Sequence, residues 1–223
     1  MREALDRDLN RITENFLRMV SLVREELELA TAGLVAQDVA KAEEAVRLDE
    51  KVDELDLEIE NEVLAAIARH QPVASDLRFL ATVLKALTDL ERAGDYAAHV
   101  AEDALALAGE PPLKKYIVLA EMSERLERML DLLAKAIAER DLAAAERILK
   151  LDDDVDDLYE QIVRELLTYM IEDPRTISKA LTLMRVARSY ERLGDHLENI
   201  AERVFFWLTG KLETGFGKSE PGS

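Results

Sequence analysis

Cysteine is absent from the 223-residue chain. That excludes a disulfide framework, a zinc finger and a thiolate nucleophile. Glycine and proline are scarce, at 8 and 5 residues, which leaves few points at which a helix must stop. No uninterrupted apolar run approaches the roughly 18 residues that a membrane helix needs; the longest local cluster, residues 204–208, is far shorter. Residues 1–7 are charged almost throughout and lack the apolar core of a signal segment. Basic side chains are also in short supply: 29 Lys and Arg stand against 47 Asp and Glu, for a net charge of −18. A general nucleic-acid binder needs a basic face to neutralise phosphates, and the same shortage disfavours electrostatic docking to anionic lipid. What is present is 48 % hydrophobic residues, enough to bury a core and to argue against disorder. The expectation is an acidic, soluble, intracellular protein whose counter-charges are cations or basic partners.

The hydrophobic pattern is helical. Leu5, Leu9, Ile12, Phe16, Met19, Val23, Leu27 and Ala30 step by three and four residues, which puts them on one face. No segment sustains period-two alternation, so no sheet is expected. Punctuation predicts six helices. The first ends at Gly33, read as a C′ glycine. The second runs from an N-cap at Asp38 to His70. After a turn at residues 71–75, with Ser75 as cap, the third runs to Leu107. Residues 109–112, with Pro111 and Pro112, form the main break. The fourth covers 113–139, Asp141 caps the fifth, and Asp173-Pro174 opens the sixth as N-cap and proline at N1.

The two halves repeat. Residues 48–55 match residues 151–158 at an offset of 103, which also pairs Asp38 with Asp141 and Met19 with Met122. Glu91-Arg92-Ala93-Gly94-Asp95 matches Glu191-Arg192-Leu193-Gly194-Asp195 at an offset of 100, so the intervening turn is three residues shorter in the second half. Each half is a three-helix unit used twice. The expected architecture is all-α, two tandem three-helix bundles at residues 1–110 and 111–212, with a disordered Gly/Ser/Pro-rich tail at 213–223.

Each unit carries two acidic pairs. Residues four apart share a helical face, so Asp49 stands beside Asp53 and Glu91 beside Asp95, with Glu102 and His99 extending the second stripe. Both pairs lie about 20 residues from the turn after His70, which places them at one height on antiparallel helices. Asp152, Asp156, Glu191 and Asp195 repeat the arrangement. Like charges so placed repel, and a bound cation would reverse the sign. An oxygen-only ligand set suits magnesium, calcium, manganese or ferric iron, with His99 as a softer donor. The alternative is a solvated acidic face neutralised by Arg92, Arg192 and Lys51. Gly94 and Gly194 sit inside helices, where glycine costs ~1 kcal/mol relative to alanine. They make room either for a neighbouring helix or for something held beside Asp95 and Asp195. No Glu-x-x-His pair, Walker loop, Gly-x-Ser-x-Gly elbow or nucleophile–base pair occurs, so the chain is not expected to be an enzyme. The segment 205–207 either closes a bundle end or forms a contact patch.

Residues 49–53, 71–78, 89–95 and 190–196 resemble the PhoU family, regulatory components of bacterial phosphate-specific transport systems, and the likeness extends to about Leu212. The resemblance implies two three-helix bundles whose Glu/Asp-x-x-x-Asp motifs hold iron clusters or other metals such as zinc, manganese or magnesium in some members. It carries metal roles onto Asp49, Asp53, Glu91, Asp95, Asp152, Asp156, Glu191 and Asp195. It further implies a negative regulator of the phosphate-starvation response, cytoplasmic or peripheral at the inner face of the membrane. Such a regulator is a homodimer or higher oligomer, and it contacts a phosphate-sensing histidine kinase and the ATPase of a phosphate ABC transporter. Two other roles compete: accessory regulation of a different phosphate permease, and a metal-dependent phosphohydrolase. Two departures separate the halves: Ala93 stands where a larger apolar residue is usual, and His99 is matched by Asn199.

Overall fold

The computed structural model describes residues 2–211. Six α-helices follow in order: α1 Arg2–Ala36, α2 Val39–His70, α3 Ala74–Leu107, α4 Ile117–Glu139, α5 Leu142–Glu172 and α6 Ile177–Thr209, the last preceded by a single 3₁₀ turn at Pro174–Thr176. Helices α1–α3 form one antiparallel bundle and α4–α6 the second. The bundles join along their length, α3 against α6 and α1 against α4. The apolar stripe expected on α1 is the stripe that is buried, from Leu5 and Ile12 through Phe16, Met19, Val23, Leu27 and Ala30. The predicted tail lies outside the described residues, apart from its approach at Lys211.

Helix ends are set by local chemistry. Asp38 accepts from the Lys41 amide at 3.3 Å and Asp141 from the Ala144 amide at 3.1 Å, so both predicted N-caps hold. Asp173 accepts from the Arg175 amide at 3.0 Å, with Pro174 opening the 3₁₀ turn before α6. Three expectations are corrected. Helix α1 passes through Gly33 and ends at Ala36, where Gln37 takes the left-handed conformation (φ 55°). Gly33 instead admits α2: a Cβ there would lie 2.9 Å from Ala42 Cβ and 3.0 Å from its backbone nitrogen. Ser75 does not cap α3. Gln71 closes α2 in a left-handed conformation, Pro72 follows, and extended Val73 starts α3 without a side-chain cap. Helix α4 begins at Ile117 rather than 113, because the two prolines end regular structure and the linker is tied down elsewhere. Lys179 donates to the Pro111 carbonyl at 2.6 Å and Gln37 to that of Glu110 at 2.7 Å, Lys114 pairs with Glu165, and Tyr116 is buried.

Between the bundles the core is not wholly apolar. The fully buried Tyr190 hydroxyl lies 2.8 Å from Thr31 Oγ1, which lies 2.8 Å from Ser123 Oγ. Arg24 of α1 reaches Asp131 and Glu127 of α4 at 2.8 and 3.4 Å. Asp89 of α3 meets His196, Arg203 and Asn199 of α6 at 3.0, 3.3 and 3.4 Å. Burial works against ionisation of Asp89, but the hydrogen bonds to His196 and Arg203 outweigh it and hold its carboxyl below the usual range. Near one end Trp207 packs on Phe79 with ring centroids 4.9 Å apart, and Arg140 lies over its ring. Phe205 and Trp207 therefore seal α6 against its neighbours.

Candidate functional site

Helix α2 supplies Asp49 and Asp53 from one face, and α3, running back beside it, supplies Glu91 and Asp95. The structure brings the four together. Burial raises the Asp49 pKa to about 6, helped by the charges of Asp53 and Asp95, with His99 acting the other way. Glu91 is raised by burial and then by Asp95 and Asp53. The outer side of the cluster has a counter-charge: Arg92 pairs with Asp95 at 2.7 Å and approaches Glu91 at 3.5 Å. The inner side has none to match. Asp49 Oδ1 is buried without a hydrogen-bond partner.

Beneath Asp49 lies a fifth carboxylate, Glu26 of α1. It is 0 % exposed, and neither of its side-chain oxygens has a hydrogen-bond partner. Burial first, then the charges of Asp49, Asp95 and Asp53, push its pKa up to about 9. Glu26 was missed by motif reading, which looked for pairs four apart. A signal existed: position 26 falls seven after Met19, three after Val23 and four before Ala30, inside the core stripe, where a charged residue is out of place.

The second half gathers Asp152, Asp156, Glu191 and Asp195 in the same way. Asp152 is buried and its pKa is raised to about 8, by desolvation first and then by Glu198, Asp156 and Asp195. Glu191 is raised by burial and Asp195, while Arg188 and Arg192 oppose this. Arg192 pairs with Asp195 at 3.1 Å, and Arg188 with Glu191. Glu191 Oε2 is buried without a hydrogen-bond partner. The halves are not copies in detail: the counterpart of Glu26 is Met129, fully buried, and Glu198 occupies the place of Ala98.

The two helical glycines face side chains rather than a helix backbone: a Val52 methyl and two carboxylates at Gly94, the Asp152 carboxylate first at Gly194. A Cβ on Gly94 would lie 3.2 Å from Val52 Cγ1, 3.5 Å from Glu26 Oε2 and 3.7 Å from Asp49 Oδ1. On Gly194 it would lie 2.7 Å from Asp152 Oδ1 and 3.4 Å from Leu126 Cδ2. A cavity of about 270 Å³ opens elsewhere, lined by Asn10, Thr13, Phe79 and Trp207 among others, and none of the eight carboxylates borders it.

With the duplicated geometry in view, comparison with known proteins is decisive. The family model described as the PhoU domain matches twice, at residues 16–104 and 119–204. The chain belongs to the PhoU family. The PhoU homolog of Deinococcus radiodurans, a phosphate-specific transport system accessory protein, is 51 % identical over 213 residues, spanning 96 % of this chain and all of that one. The PhoU accessory protein of Escherichia coli is 34 % identical over 92 % of this chain and 85 % of its own length. The crystal structure of PhoU from Pseudomonas aeruginosa superposes with a TM-score of 0.89 at 34 % identity, covering 92 % of this chain and 99 % of that one. The all-α, six-helix architecture with a repeated unit is thereby shown.

For PhoU-type metal binding the donor chemistry fits in kind. The candidate donors are hard oxygens, and buried oxygens in both clusters lack hydrogen-bond partners. Among the described residues no three Asp, Glu or His side chains stand, as oriented here, so as to hold a metal ion.

Proposed function

We propose that this chain is an accessory regulator of phosphate-specific transport. In this reading it is a cation-binding adaptor that restrains the phosphate-starvation response by contacting a sensor histidine kinase and the ATPase of a phosphate ABC transporter. One observation carries the transport role: identity of 51 % along the whole length of a relative that is itself a phosphate-specific transport accessory protein. The role in this reading is accessory and regulatory rather than catalytic, in keeping with relatives named as transport accessory proteins. No helix among the described residues is long and apolar enough to cross a membrane, which agrees with a cytoplasmic adaptor that meets the transporter from one side. Homodimer formation belongs to the same proposal.

Cation binding rests on the eight carboxylates Asp49, Asp53, Glu91, Asp95, Asp152, Asp156, Glu191 and Asp195. When bound, an iron, zinc, manganese or magnesium ion would supply positive charge where inner oxygens lack a partner. The protein's part is to hold the carboxylates on rigid helices, to clear space through Gly94 and Gly194, and to leave Arg92 and Arg192 on the outer rim. Two experiments test the reading. Purified protein captures the phosphate sensor kinase or the transporter ATPase in a pull-down; capture of neither defeats the adaptor role. Elemental analysis finds near-stoichiometric transition metal, and a double variant Asp49→Asn with Asp95→Asn loses the first-half share. Protein that is metal-free and takes up no iron, zinc or manganese leaves two acidic faces and no metal role.

A further inference from the structure

Resting on the cation reading above, we infer that Glu26 is an inner ligand of the first-half site alone, which makes that site the tighter of two unequal ones. Packing does not demand a carboxylate at this place on α1. The same register position of the repeat in the second half is Met129, which is equally buried, so the repeat accepts an apolar side chain of similar length there. Glu26 also satisfies no donor: both its oxygens are enclosed and without hydrogen-bond partners. Its carboxylate points out of the core toward the floor that Gly94 leaves open, where Glu26 Oε2 and Asp49 Oδ1 both come within 4 Å of the position a Cβ would take. The titratable groups facing it, Asp49, Asp53 and Asp95, are all acidic. A buried carboxylate surrounded by carboxylates is unfavourable without a cation and favourable with one.

In the second half the nearest atoms beside Gly194 are Asp152 Oδ1, Leu126 Cδ2 and Val155 Cγ1, so an apolar leucine of α4 stands where the first half has the Glu26 carboxylate of α1. The additional carboxylate there, Glu198, comes from α6 itself and is only half-buried. Affinity of oxygen sites for hard cations rises with the number of charged ligands and with their rigidity. The first half has both advantages: one more enclosed carboxylate, and a side chain fixed by the core around it. The ligand class is a di- or trivalent cation that accepts an all-oxygen shell.

The test is equilibrium dialysis of chelator-treated full-length protein against MnCl2 alone, on the wild type and on Glu26→Gln, Glu26→Met and Asp152→Asn. Thermal shifts induced by the same salt are followed in parallel. The wild type is expected to show two classes of site. Glu26→Gln and Glu26→Met weaken the tighter class by about tenfold or more, since loss of even an outer partner of a metal ligand costs that much, and leave the weaker class in place. Asp152→Asn abolishes the weaker class only. Glu26→Met copies a residue the other half already tolerates, so it reports binding in a folded protein. Two classes unchanged by both Glu26 substitutions overturn the inference while the cation reading stands. No Mn uptake by the wild type at either half removes the cation reading itself.

Discussion

The metal-free protein should lose stability with rising pH through one residue, Glu26. Its ordinary carboxyl pKa of 4.5 is raised to about 9, first by burial and then by Asp49, Asp95 and Asp53. Between those values the folded chain keeps a proton that the unfolded chain has released. The unfolded state is therefore favoured as pH rises, by about 1.4 kcal/mol for each unit. The residue's contribution is neutral below pH 4.5, where both states are protonated, and most unfavourable above 9, where both are ionised. Over the three units from pH 5 to pH 8 the loss is about 4 kcal/mol. Glu26→Gln removes the titration while keeping the shape. Asp49, at about 6, and Asp152, at about 8, also weaken the fold as pH rises, but they do so in both proteins and cancel in the comparison. Protonated Glu26 and the neutral amide that replaces it act alike on Asp49 over most of this range. The assay is urea unfolding by circular dichroism in the presence of chelator, at pH 5 and pH 8. The advantage of Glu26→Gln over the wild type should grow by about 4 kcal/mol between them. Stability differences that stay parallel within about 1 kcal/mol would show that Glu26 is ionised in the fold, and the account of a naked inner carboxylate would fail.

Five further variants have expected outcomes. Gly194→Ala should be the less stable of the two glycine variants, by about 1 kcal/mol, because its Cβ meets Asp152 Oδ1 at 2.7 Å and the buried Asp152 carboxylate must turn aside. Gly94→Ala, with its nearest contact at 3.2 Å, should be close to neutral, since the gain of ~1 kcal/mol in helix propensity offsets the crowding; urea midpoints of the two variants check the order. Tyr190→Phe should cost about 1–2 kcal/mol by leaving Thr31 with Ser123 as its remaining partner, measured by the same unfolding. Asp89→Asn should cost about 2 kcal/mol at pH 7 by weakening the link to His196 and Arg203. Because the folded pKa of Asp89 is depressed, its contribution is present above its unfolded value near 4 and lost as pH falls below it, so the penalty should shrink in acid. Asp141→Ala should cost about 1 kcal/mol in thermal unfolding through loss of the α5 cap.

Most of the fold was legible because long amphipathic helices announce themselves by period, and this chain has few breakers. The caps at Asp38 and Asp141 follow from side-chain chemistry that acts within three residues. The ends at Gly33 and Leu113 went elsewhere because of contacts between segments, Ala42 against Gly33 and Lys179 and Gln37 on the linker, while Ser75 lost its capping place to the local turn at Gln71, Pro72 and Val73. The eight carboxylates were found by their spacing and repetition. Glu26 was hidden because its partners come from α2 and α3, not from its own helix.

By itself, the sequence determined the helical class, the duplication, the family and the height at which the acidic pairs meet, since each rests on spacing along one chain. Tertiary structure alone decided how deep each carboxylate sits and what lies behind it. Arg92 and Arg192 answer the outer charges, while Glu26 lies enclosed beneath Asp49 and the same register position of the second half is the buried Met129. Burial is a property of three helices packed together, and it is burial that turns two similar rows of acid into two different sites.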